Sequence, residues 1–290
     1  MHRHRRAIRN GTLIGLIVAL ILPAASAFAA AISLERTIRT TPFAGTSVSM
    51  RDHEGSAFVL VDNSLWLADD NGDAVYEVNP TTGALKRKIP AADFNAAPRF
   101  GGGPQAGSSR AEDFEALAYD VNSDTLYVFS GLCCSSSILP TAFRLTRQSG
   151  ALRVADWQPL ASTADYTGAG WNPGDDRIYV AKGRQFRSFD YTTAAGGPAF
   201  RVLGVSGITG MDFSANGADL FITNSNERLI RINWGTRTIV SGWNLDLTPF
   251  GVRDSRAVAV IGGRYFVSDG ADARAKGDPL RYAVFVFAAA

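Results

Sequence analysis

The chain of 290 residues carries 29 Lys and Arg against 27 Asp and Glu, with 46% hydrophobic residues and two cysteines. After the first ten residues the longest run of Lys and Arg is Lys86-Arg87-Lys88, too short for the basic footprint of a nucleic-acid-binding protein. The apolar content is ample for a buried core, in one large all-β domain or in two smaller ones.

At the N-terminus a basic stretch from His2 to Arg9 precedes an apolar run from Leu13 to Leu22 and small residues at alternate positions, Ala25, Ala27 and Ala29. That order predicts a secretory leader over residues 1–29, because the apolar run falls short of the roughly 20 residues of a bilayer span. Cleavage would leave 25 basic against 27 acidic residues, a formal charge of −2. The expected product, residues 31–290, is one secreted or extracytoplasmic domain, a monomer with no membrane span.

Five apolar segments resemble one another: Leu65-Trp66-Leu67-Ala68, Leu126-Tyr127-Val128-Phe129, Ile178-Tyr179-Val180-Ala181, Leu220-Phe221-Ile222-Thr223 and Tyr265-Phe266-Val267-Ser268. Each reads as a buried strand. Another apolar strand precedes each, across turns such as Asp62-Asn63, Asn172-Pro173-Gly174-Asp175 and Asn216-Gly217, where Asn, Asp and Gly supply the backbone angles. A third, more alternating strand follows each, and three repeats show a fourth. Four antiparallel strands repeated at intervals of roughly 40 to 60 residues describe the blades of a β-propeller.

Five blades are predicted, with a sixth open over residues 90–112, a segment that reads as a loop at Gly101-Gly102-Gly103-Pro104. The last repeat stops at Phe287 and the orphan strand from Leu34 to Arg39 is expected to close the ring, removing exposed edges. A β-sandwich with irregular extra strands is the competing architecture.

Antiparallel order brings the loop entering each blade and the connection from its second to its third strand to the same face. At the second-strand ends stand Asp69, Cys133 and Cys134, Lys182, Asn224 and Asp269; in the inbound loops stand His53, Asp113 and Glu115, Thr167, Thr209 and Arg256. The carboxylates Asp69, Glu115 and Asp269 are candidate ligands for a hard cation such as Ca²⁺, which takes six to eight oxygens; turn residues bonding their own backbone are the alternative. Glu115 aligns with Ser56, Thr167, Thr209 and Arg256 and is the single acid of that layer, so either an ion pair with Arg256 or ligand binding is expected of it.

His53 is the one histidine outside the leader, which rules out a His-based metal cage and leaves it as a candidate general base or an ordinary loop residue. Cys133 and Cys134 are adjacent, so an oxidising compartment allows a vicinal disulfide, free thiols or bonds between chains. Arg256, Lys182, Asn224, Cys133 and Cys134 are the expected ligand contacts.

The segment Asp113-Phe114-Glu115-Ala116-Leu117-Ala118 resembles the Asp-x-Glu-Gly-[Ile/Leu]-Ala stretch of secreted bacterial propellers of the esterase-like phytase and NHL-type families. The phrasing from Leu65 to Gly83 is similar to their blades as well. The resemblance implies Ca²⁺ and hydrolysis of an ester or phosphate ester, with Asp113 and Glu115 as the positions carried over. Ala116 departs from the usual Gly, and no Lys/Arg cluster obvious enough for a polyphosphate substrate falls on that face. The sequence therefore supports a ligand-binding propeller for a small molecule or an extracellular protein, with a metal-dependent hydrolase and an interaction scaffold as alternatives.

Overall fold

The structure is a computed structural model, which describes residues 32–48, 57–69, 74–102, 113–131, 140–161, 164–270, 274–275 and 278–289. The expected leader lies outside them. After strand β1 (Ile32–Ile38), blade 1 consists of β2 (Ala57–Val61), β3 (Ser64–Ala68), β4 (Ala74–Val78) and β5 (Leu85–Pro90). Helix α1 (Ala91–Ala96) leads to blade 2, made of β6 (Phe114–Asp120), β7 (Thr125–Ser130), β8 (Thr141–Gln148) and β9 (Ala151–Pro159). Blade 3 contains β10 (Gly168–Asn172), β11 (Arg177–Lys182), β12 (Gln185–Asp190) and β13 (Ala195–Gly196). Blade 4 contains β14 (Ile208–Phe213), β15 (Asp219–Asn224), β16 (Arg228–Asn233) and β17 (Thr238–Asp246). Blade 5 contains β18 (Ser255–Ile261), β19 (Arg264–Asp269) and β20 (Val284–Ala289).

Each blade is a four-stranded antiparallel sheet in chain order, and β1 supplies the fourth strand of blade 5, pairing Ile32 with Ala289 and Ile38 with Val284. The two ends of the described chain thus share one sheet. This is the five-bladed propeller with the predicted ring closure.

The core is a set of sheet-on-sheet layers between neighbouring blades, because a strand buried on both faces serves two interfaces at period 2. In β3, Trp66 and Ala68 join the cluster with Leu117, Val128 and Phe143 of blade 2. Leu65 and Leu67 of the same strand join Ala257, Phe266 and Val286 of blade 5. Similar clusters fill the junctions of blades 2 and 3, 3 and 4, and 4 and 5.

The first strands line the axis, and small side chains let them approach. A Cβ added at Gly210 would stand 2.5 Å from the Ala257 Cα. The segment expected to be a loop contains α1, whose Phe94 is fully buried with its ring 4.8 Å from Phe114 and 5.1 Å from Phe143. Its residues form no sixth blade among the described residues. Among those residues no helix is long and apolar enough to cross a membrane.

Candidate carboxylate site at the start of blade 2

The inbound loops and the second-to-third connections do meet on one face. The residue after the second strand donates its N–H to the inbound loop in blades 2, 4 and 5: Gly131 to the Asp113 carbonyl at 2.7 Å, Ser225 to Gly207 at 2.8 Å and Gly270 to Asp254 at 2.6 Å. Two residues further on, each first strand bulges. The register shifts between Phe114 and Ala116, between Ile208 and Gly210, and between Ser255 and Val258. Glu115, Thr209 and Arg256 therefore occupy corresponding bulged positions, where a strand can re-aim a side chain.

At the aligned positions of blades 3 and 4, threonines tie each blade to the next. Thr167 Oγ1 donates to the Ile208 carbonyl at 2.6 Å, and Thr209 Oγ1 donates to the Ser255 carbonyl at 2.7 Å. Arg256 Nε stands 2.8 Å from Asp254 Oδ1, within its own inbound loop.

At blade 2 the same layer carries acids. Asp113, Glu115 and Asp165 each offer a carboxylate oxygen, all within 4.8 Å of one another. Asp113 is 7% exposed and takes a left-handed backbone with φ 61°, a conformation Asp tolerates better than most residues. The three acids converge on Gly131. A Cβ there would stand 2.6 Å from Asp113 Oδ2, 2.8 Å from Glu115 Cγ and 3.0 Å from Asp165 Oδ1. Lys182 Nζ lies 3.4 Å from Asp165 Oδ2.

Three carboxylates and one ammonium carry a formal charge of −2, which a divalent cation complements. Oxygen donors alone suit a hard ion such as Ca²⁺ or Mg²⁺ rather than a soft one. The fit is partial, since three protein carboxylates leave further positions for carbonyls, water or a ligand.

Of the residues singled out by the sequence, Asp113, Glu115 and Lys182 come together here. Asp165 completes the group and was missed, although it precedes Thr167 by two residues as Asp113 precedes Glu115. The other candidates stand apart. Asp269 is fully buried, its Oδ1 accepting the N–H groups of Arg253 and Asp254 at 2.8 Å each while Oδ2 takes the Nε–H of Arg274. Burial raises its carboxyl, and the Arg253 N–H and the Arg274 guanidinium offset part of that rise.

Asn224 Oδ1 accepts from the N–H groups of Asn226 and Arg228, closing its own hairpin. Asp69 is fully buried and its N–H donates to the Ala74 carbonyl at 3.2 Å. None of these three belongs to the cluster at Gly131. His53, Cys133 and Cys134 lie outside the described residues.

Neither a family model nor a curated protein matches the chain. Among solved structures, the glutaminyl cyclase of Myxococcus xanthus is similar over 88% of this chain and 95% of its own, with a TM-score of 0.58 and 12% identity. A nidogen/laminin complex is similar over 75% of each chain, with a TM-score of 0.45 and 13% identity. The hydrazine synthase of Kuenenia stuttgartiensis is similar over 78% of this chain and 58% of its own, with a TM-score of 0.42 and 16% identity. At this level of identity the likeness to the cyclase is one of fold.

Proposed function

We propose that this chain is an extracytoplasmic β-propeller that binds a small ligand at the Asp113, Glu115, Asp165 and Lys182 cluster, with a divalent cation, Ca²⁺ by preference, held between the carboxylates. The observation that carries this reading is the convergence of three carboxylates within 4.8 Å on a glycine that leaves them room. Such a grouping is self-repelling, and a bound cation relieves it. The leader predicted over residues 1–29 supports export, where millimolar Ca²⁺ sites are at home.

A metal-dependent hydrolase is the second reading, favoured by the Asp113-x-Glu115 match to the esterase-like phytase segment. In that reaction the cation would polarise the ester oxygen and Glu115 would take a proton from water as the water oxygen bonds to the acyl or phosphoryl centre. The same proton would then go to the departing alkoxide as the ester bond breaks. An N-terminal glutaminyl peptide belongs in the same screen, since a propeller of this fold is a glutaminyl cyclase.

The experiment is calorimetric titration of Ca²⁺ into the full mature chain, followed by a screen of esters, phosphate esters and glutaminyl peptides with and without the ion. Ca²⁺ binding without turnover supports the binding protein. Turnover that disappears in Glu115→Gln supports the enzyme. No binding of any divalent ion rejects both.

A further inference from the structure

On the opposite face, the turns joining first to second and third to fourth strands border a cleft of about 610 Å³ at the junction of blades 2 and 3. It borders β13, whose two residues pair with Phe189 and Asp190, whereas β9 and β17 run nine residues each. After β13 the chain bonds β12 only at intervals, through the Gly197 N–H to the Ser188 carbonyl and the Phe186–Phe200 bridge, so the outer edge of blade 3 is paired discontinuously. The volume is that of a small-molecule site.

The walls combine rings with carboxylates. Tyr127 and Trp171 are half-buried, and Asp120, Asp176, Asp190 and Arg177 line the same space. Three acids against one base give the lining a formal charge of −2. Asp176 Oδ1 accepts from Trp171 Nε1 at 3.1 Å and from Asn122 Nδ2 at 3.0 Å, which fixes this exposed carboxylate beside the indole. Asp190 is held below the usual carboxylate range, first by its hydrogen bond from the Thr192 hydroxyl. The Tyr191 ring, 5.4 Å from that of Tyr127, is anchored by its hydroxyl on Asp156 at 2.7 Å.

We propose that this cleft binds an organic ammonium ligand, a quaternary ammonium or a polyamine, against the Tyr127 and Trp171 rings and the Asp176 carboxylate. The ring faces attract a cation, the more strongly as it is desolvated. The net negative lining adds to that attraction and opposes an anion. A neutral sugar would gain from the rings but nothing from the charge.

The test is calorimetric titration of the full mature chain with choline and with spermidine, at low and high salt. Asp176→Asn is the informative variant, because Asn also tolerates the φ of 57° at this position and keeps an oxygen for Trp171 and Asn122 while losing the charge. The expected result is binding of at least one probe that weakens about tenfold in Asp176→Asn, weakens with salt and is unchanged in Glu115→Gln. The relative affinity of the two probes then tells a quaternary site from a polyamine site. Absence of binding by both, equal affinity in Asp176→Asn, loss in Glu115→Gln, or equal affinity for a neutral disaccharide would each overturn the proposal.

Discussion

Lys182 Nζ lies 3.4 Å from Asp165 Oδ2, so the chain itself supplies one positive charge to the carboxylate cluster. A metal ion must share the acids with it. Lys182→Gln should therefore tighten Ca²⁺ binding. Both side chains are partly exposed, at 46% and 35%, so water screens the pair and the gain should be about 1 kcal/mol at most, or roughly fivefold in affinity. Calorimetry reads it directly, and a weaker affinity in the variant would mean that Lys182 positions the acids for the metal rather than competing with it.

Asp269 and Arg274 form a buried pair, with 0% and 3% of their side chains exposed. Removing Asp269 takes away the closer of the two acids on the buried Arg274, leaving Asp278 at 3.4 Å from Nη1, and orphans the N–H groups of Arg253 and Asp254 that Asp269 accepts. Asp269→Ala should cost about 3–5 kcal/mol in denaturant unfolding and leave the Ca²⁺ affinity of the folded fraction unchanged. A selective loss of Ca²⁺ binding without loss of stability would return Asp269 to the list of metal ligands.

Asp212 stands in β14 where the matching first-strand positions carry Ala118, Gly170 and Ala259. Its Oδ2 accepts the Val260 N–H of blade 5 at 2.8 Å and its Oδ1 accepts the Phe213 N–H at 2.8 Å. Enclosure between the two first strands pushes its pKa up to about 7, against an ordinary 3.8. Between about pH 4 and 7 the native state keeps a proton that the unfolded chain releases, so this group makes stability fall as pH rises through that window. Below it the carboxyl is protonated in both states and imposes no charge cost. Asp212→Asn keeps an acceptor for Val260 and should remove that part of the slope, on the order of 1 kcal/mol per pH unit at most, in melting curves taken across the window. Parallel profiles for the two proteins would show that the carboxyl does not titrate there.

Thr209 Oγ1 bridges blade 4 to the Ser255 carbonyl of blade 5. Thr209→Val preserves the shape and removes the donor, so unfolding in urea should shift by about 1 kcal/mol. An unchanged midpoint would mean that water replaces the hydroxyl without cost.

The first three strands of each blade were legible in the sequence because each carries its own signal, an apolar or alternating run bounded for the most part by Asn, Asp or Gly turns. Ring closure was legible too, from one incomplete repeat and one orphan strand. Helix α1 was not, since its six residues are fixed by Phe94 docking between Phe114 and Phe143, a tertiary contact. The brevity of β13 leaves no signal of its own, nor does the cleft that it borders between blades 2 and 3. At the upper face the repeat alignment found Glu115 and Asp113 but weighted every second-strand end alike. Asp269 and Asn224 turn inward onto their own loops, a choice made by neighbouring N–H groups that no strand pattern records. Asp165 was within reach, because Asp254 and Arg256 repeat the two-residue offset of Asp113 and Glu115.

The most direct test of the cation site is Ca²⁺ titration of Asp165→Asn beside Glu115→Gln and the unaltered chain, with melting temperature as a second readout. Asp165 and Glu115 lie in different blades, and only the folded arrangement brings their oxygens together. Either substitution should weaken Ca²⁺ binding at least tenfold and remove the Ca²⁺-dependent rise in melting temperature. Binding that survives intact in both variants would contradict that site.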